Sequence, residues 1–150
     1  MTQTELFKLL GAPLHNARWS WGALGKDEAV FLRVWQDQER KYEGAWFAQV
    51  TYGGPLDDEE AILGHSERLE HVQRILDGAP SYMIMCRARD TKAIPRKIMS
   101  FNRREVFVGG GWSTWMAPIG SSAAIGFRST MQDSGKSNQV RWRPTSKVRL

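Results

Sequence analysis

RWSWGALGKDEAVFLRVW, residues 18–35, is the stretch on which the reading of the fold turns. Trp19 and Trp21 stand two apart, so on a strand both rings face one side. Ala29 to Trp35 reads as a second strand, rich in β-branched and aromatic residues. Gly25, Lys26 and Asp27 supply a hairpin turn between the two. Three tryptophans fall within seventeen residues, with Arg18 and Arg33 among them. Such a stretch is either a corner of the core or a surface that grips a flat ligand.

Working outward, Thr4 to Leu10 places Leu6, Leu9 and Leu10 at helical spacing, and Gly11 with Pro13 stops the run. This short helix is expected to cover one end of a sheet. Gln36 to Gly44 is polar and reads as a loop, Ala45 to Tyr52 as a strand, and Gly53, Gly54 and Pro55 as a sharp break. Leu56 to Asp77 is the main helix. Its expected apolar stripe is Ile62, Leu63, Leu69, Val72, Ile75 and Leu76, with Gly78 as the C-terminal cap. Gly64 is expected to split off a first turn, leaving Ser66 to cap the rest. Ser81 to Ala88 is a strand apolar enough to be buried on both faces. Two further strands fall around Phe101 and at Val106 to Val108, followed by a glycine connection, Gly109 to Gly111.

Few helices and short strands joined mostly by turns predict an α+β fold. Its sheet is expected to be mixed and strongly bent, or a small open β-barrel, with two or three helices. Residues 1–127 form one domain in this reading. Residues 128–150 form a basic segment that either holds a strand near Val140 to Trp142 or is partly disordered.

A chain of 150 residues suffices for one domain with one core. No apolar run approaches the roughly 20 residues that span a bilayer. The start, MTQTELFKLLGAP, lacks the pattern of a secretory signal, so a cytoplasmic protein is expected. A single cysteine, Cys86, excludes an internal disulfide and a cysteine-based zinc cluster. The net charge of +5 sits in the last 23 residues, where six Lys and Arg meet one Asp. Residues 1–127 carry fifteen charges of each sign. Within them Arg87, Arg89, Lys92, Arg96, Lys97, Arg103 and Arg104 meet only Asp90 over one short span. If their two strands are neighbours, these cations form one positive rim, which suits a polyanion as well as a solvated face.

Catalytic motifs are missing: there is no GxSxG, HExxH, P-loop or GxGxxG. Gly109 to Gly111 follows a strand without the lysine and helix of a nucleotide loop. His65 and His71 are six apart and share no helix face as a metal pair would. Asp57 to Glu60 suits a helix start better than a metal site. Neither a metal nor a cofactor is therefore expected, and the sequence makes no case for catalysis. Tryptophans interleaved with Arg and Lys, by contrast, suit nucleic acid, because bases stack on rings while cations meet phosphates.

The paired tryptophans, the helix LGHSERLEHVQRILDG and the strands SYMIMCRARD and KIMSFNRREVFVGG resemble, in order and type, the PUA-like superfamily. More narrowly they resemble the small modified-base readers of the EVE, YTH and ASCH kind, over roughly residues 14–112. They are also similar to the DNA-reading modules that accompany nucleases in modification-dependent restriction. The resemblance implies a bent sheet with a concave pocket that takes a flipped or unpaired base into an aromatic cage. It makes Trp19, Trp21 and Trp35 the cage, with Asn16, Ser20, Ser100 and Asn102 offering polar contacts to a base edge. Arg18, Arg33, Arg87, Arg89, Arg96, Lys97, Arg103 and Arg104 would hold the flanking backbone. The implied partners are nucleic acid, DNA ahead of RNA, and a nuclease protein in a restriction or defence system, with no membrane. The chain departs from the family in its basic tail and in lacking a nuclease domain.

Two other readings stay open. One is a small enzyme acting on a flat, nucleotide-like substrate, with His15, His65 or Glu67 as acid or base. The other is a protein-interaction module whose Trp- and Arg-rich surface forms a hot spot.

Overall fold

A computed structural model describes residues 1–42, 44–51, 56, 58–113 and 124–128. In chain order the elements are α1 (Gln3–Leu9), β1 (Gly22–Leu24), β2 (Val30–Trp35), a 3-10 turn (Gln36–Gln38), β3 (Glu39–Tyr42) and β4 (Ala45–Gln49). The helix α2 (Glu59–Leu76) follows, then β5 (Ser81–Ala88), β6 (Ile98–Phe101), β7 (Phe107–Ser113) and β8 (Ala124–Arg128). The strands make one mixed sheet in the order β1-β2-β5-β7-β8-β4-β3, with β6 added on β5. The fold is α+β, and its sheet curls into an open half-barrel, in line with the sequence.

Two adjacent strands set the layering. β2 and β5 pair in parallel, Val30 against Ser81 through Trp35 against Cys86. Successive side chains of a strand point to opposite faces, and here both faces are apolar. Val30, Leu32, Val34, Met83 and Met85 enter one cluster with Val72 and Ile75 of α2. Phe31, Ile84 and Cys86 enter a second cluster with Leu6, Phe7 and Leu10 on and just after α1. Burying such a side chain contributes about 1.5–3 kcal/mol, so each helix holds down one face of the same strand pair. The first cluster also contains Ala48, Val50 and Ile125. Ala48 lies on β4, which is separated from β2 by three strands in the sheet order. Their shared core is what the curl makes possible.

The helix starts follow their residues. Thr2 and Glu5 form a reciprocal capping box on α1. Gly11, at φ +72°, takes the left-handed conformation just beyond its end.

Several expectations are corrected. Trp19 lies in a turn and Trp21 just before β1, so neither is on a strand. Gln36 to Gly44 is not all loop: Glu39 to Tyr42 pairs with β4. Its charged residues suit an edge strand, where charge discourages pairing with another chain. α2 runs unbroken through Gly64 and is capped by Asp58, whose carboxylate accepts from the Glu60 amide. Ser66 caps nothing. The buried stripe of α2 is Gly64, Arg68, His71, Val72 and Ile75, whereas Ile62, Leu63, Leu69 and Leu76 are exposed. Gly109 to Gly111 belong to β7, which pairs with β8 through a bulge between Gly109 and Trp112. The expected break at 53–55, Trp115, the strand near Val140 to Trp142 and nearly all of segment 128–150 lie outside the described residues.

Candidate functional site

A cavity of about 600 Å3 opens between the tryptophan stretch, the end of β2, the start of α2 and the hairpin loop joining β5 to β6. Trp19, Trp21 and Trp35 all line it. Arg18 and Arg33 line it too, as do Lys92 and Arg96 of the hairpin loop. Asp58, Glu60 and Gln38 add polar groups. Its volume falls within the range of small-molecule sites, roughly 300–1,000 Å3.

The tryptophans are held from α2. Ser20 is fully buried, and its hydroxyl donates to Glu67 Oε1 at 2.9 Å. The Trp21 amide donates to Glu67 Oε2 at 2.9 Å. One turn of helix away, a Cβ on Gly64 would collide with the Trp21 indole and the Trp19 carbonyl. Gly64 therefore sits where it does because only a bare backbone lets these residues approach the helix. His65 meets the Trp21 ring edge-on, with centroids 6.1 Å apart, and His15 tilts against Trp19 at 5.5 Å.

Arg68 closes the frame. It is 1% exposed, and its guanidinium donates to the carbonyls of Val50 (3.1 Å), Trp21 (2.6 Å) and Arg33 (2.7 Å). Those carbonyls belong to the chain just past β4, just before β1 and within β2. One side chain thus spans the open side of the half-barrel. Only Arg, with five donors in a fixed fork, can do so.

The positive side has its own supports. Arg33 donates to Gln3 of α1 at 2.8 Å, and burial pulls its guanidinium below the ordinary value. Burial pushes the Cys86 thiol, also on the lining, up to about 11, against the opposing charge of Arg33. Arg96 clasps both oxygens of Asp37, at 2.9 and 2.8 Å, and lies over the Trp35 ring at 5.7 Å. Arg18 pairs with Glu60 at 2.6 Å.

Not every predicted residue comes to the cavity. Asn16 spends its side chain on the turn below Trp19, accepting from the Arg18 amide. Ser20 is framework, as above. Ser100 sits in β6 opposite Arg87, and the Asn102 side-chain Oδ1 accepts from the Arg104 and Glu105 amides. None of these four lines the cavity. β5 and β6 are neighbours, as the rim required, but only its Lys92 and Arg96 reach the lining. Arg87, Arg89 and Lys97 lie along the hairpin, and Arg103 and Arg104 follow the far end of β6, where Arg103 covers Phe101. Glu67 is engaged by Ser20 and Trp21, and neither it nor His15 or His65 lines the cavity.

Arg68 and the hairpin residues Ile94 and Pro95 are additions. Arg68 was detectable in principle, since it falls at helical spacing with Gly64, His71, Val72 and Ile75 on one stripe. Ile94 and Pro95 carried no signal of their own, unlike the cations Lys92 and Arg96 beside them.

Comparisons of the chain with family models, with curated proteins and with solved structures give no match. Among the described residues no three His, Cys, Asp or Glu are grouped to hold a metal ion. No described helix is long and apolar enough to cross a membrane.

Proposed function

We propose that this protein binds nucleic acid and reads a modified or everted base in the tryptophan-lined cavity. The observation that carries this reading is the convergence of Trp19, Trp21 and Trp35 on one cavity edged by Arg18, Lys92 and Arg96. Base–aromatic stacking is worth about 1–3 kcal/mol per base, and cations on the same lining suit the phosphates of a backbone. Asp58 and Glu60 supply carboxylates able to accept from exocyclic amines of a base. A role beside a nuclease in modification-dependent restriction belongs to the same proposal and rests on the sequence resemblance.

The reading as an enzyme finds less support, because its three candidate acids and bases are absent from the lining.

Binding of plain, methylated and hydroxymethylated oligonucleotides at two salt concentrations tests the proposal. Binding that weakens with salt and is lost in Trp21→Ala and Trp35→Ala is expected. No binding to any of these probes at low salt would refute it.

A further inference from the structure

We propose that Ile94 is a wedge that enters a base stack beside the cavity, and hence that the site takes a duplex with one base turned out. This deepens the base-reading proposal and rests on it.

Ile94 is 97% exposed, far more than any other large apolar residue described, yet it stands on the edge of the cavity. A scattered exposed aliphatic residue is ordinary on a protein surface. Ile94 differs in its setting. It sits in the loop of the β5–β6 hairpin, next to Pro95, with Lys92 before it and Arg96 after it.

The loop is held at several points. The Arg89 amide donates to the Lys97 carbonyl at 2.8 Å and closes the loop's base. The Lys92 amide donates to Asp90, and Arg96 is fixed by Asp37 and Trp35. An apolar side chain is therefore presented to water on a braced support, at the edge of an aromatic cavity and between two cations.

Turning a base out of a duplex leaves a gap in the stack and costs stacking on both sides. Proteins that deform duplexes fill such gaps with Ile, Leu, Met, Phe or Pro, while flanking cations hold phosphates. Here the tryptophans would take the base, Ile94 would fill its place, and Lys92 and Arg96 would hold the strands. A reader of single strands has no gap to fill and gains nothing from an exposed Ile at this point.

The full chain is titrated with short duplexes carrying one central mispaired cytosine, plain, methylated or hydroxymethylated, and with the same strands alone. Ile94→Ala should weaken duplex binding about tenfold more than it weakens single-strand binding, with Ile94→Phe restoring the duplex. The melting temperature of Ile94→Ala should match the parent, since the side chain is outside the core. Equal duplex affinity for parent and Ile94→Ala overturns the wedge, as does an equal loss on both kinds of probe. A parent that binds single strands but no duplex overturns the wedge and leaves base reading standing. A parent that binds neither overturns both and points to the hairpin as a protein contact.

Discussion

The Arg68 guanidinium donates to the Trp21 carbonyl at 2.6 Å, joining the main helix to the stretch that walls the cavity. The same group holds the carbonyls of Arg33 and Val50, so one side chain ties Trp21 to β2 and to the chain just past β4. Arg68→Ala strands buried acceptors and leaves a void. The expected loss of stability is about 3–5 kcal/mol by chemical denaturation. Arg68→Lys keeps the charge but not the fork, and should recover only about 1 kcal/mol of that loss.

Gly64→Ala places one methyl against the Trp21 indole and the Trp19 carbonyl, the second of which is backbone and yields poorly. Alanine is ordinarily the better helix former by about 1 kcal/mol. Here the sign should reverse, with a net loss of about 1–3 kcal/mol from overpacking. Tryptophan fluorescence should also shift as Trp21 is displaced. A more stable Gly64→Ala protein with an unchanged spectrum would show that the helix and the tryptophans are not in close contact.

One part of the layering was legible because it is local: the continuous apolar run of Ser81 to Ala88 marks a strand buried on both faces, and its residues feed both clusters. The face of α2 was not, because counting apolar residues favoured Ile62, Leu63, Leu69 and Leu76, whereas an arginine fills the inner stripe. An Arg is buried only where carbonyls converge on it, and that convergence comes from strands distant in sequence. The same logic divides the site. Trp19, Trp21 and Trp35 could be picked out by residue type, although the strand spacing read for Trp19 and Trp21 does not hold. Asn16 and Asn102 looked available for a base edge, yet short polar side chains in turns tend to bond to nearby backbone, and both do. The strand over residues 39–42 was hidden by its charge, which is what an edge position tolerates.

Arg96 is a lining cation held in place between Asp37 and the face of Trp35. The pair is partly exposed, so Arg96→Gln should cost no more than about 1 kcal/mol of stability. If Arg96 meets a phosphate as proposed, the slope of log affinity against log salt should become shallower by about 1. Titrations of one oligonucleotide at several salt concentrations measure this. An unchanged slope with unchanged affinity would place Arg96 outside the contact surface.

His71 predicts an acid-sensitive step in stability. It is 5% exposed on the inner face of α2, and its Nδ1 has no hydrogen-bond partner among the described residues. Burial, followed by the nearby charges of Arg68 and Arg74, lowers its pKa from 6.5 to about 4. Above pH 6.5 the ring is neutral in the folded and unfolded chains alike, and stability is untouched. Between 6.5 and about 4 the unfolded chain takes up a proton that the folded chain refuses, so stability falls as the pH falls. The accumulated loss from this residue approaches about 3 kcal/mol near pH 4. His71→Leu, of similar bulk and unable to ionise, should be within about 1 kcal/mol of the parent at pH 8 and lack this part of the slope. Denaturation midpoints of the two proteins from pH 8 to 4.5 should therefore diverge below pH 6.5, with the variant the more stable at the acid end. Parallel curves would assign the acid loss to the carboxylates and show that His71 takes up its proton without unfolding.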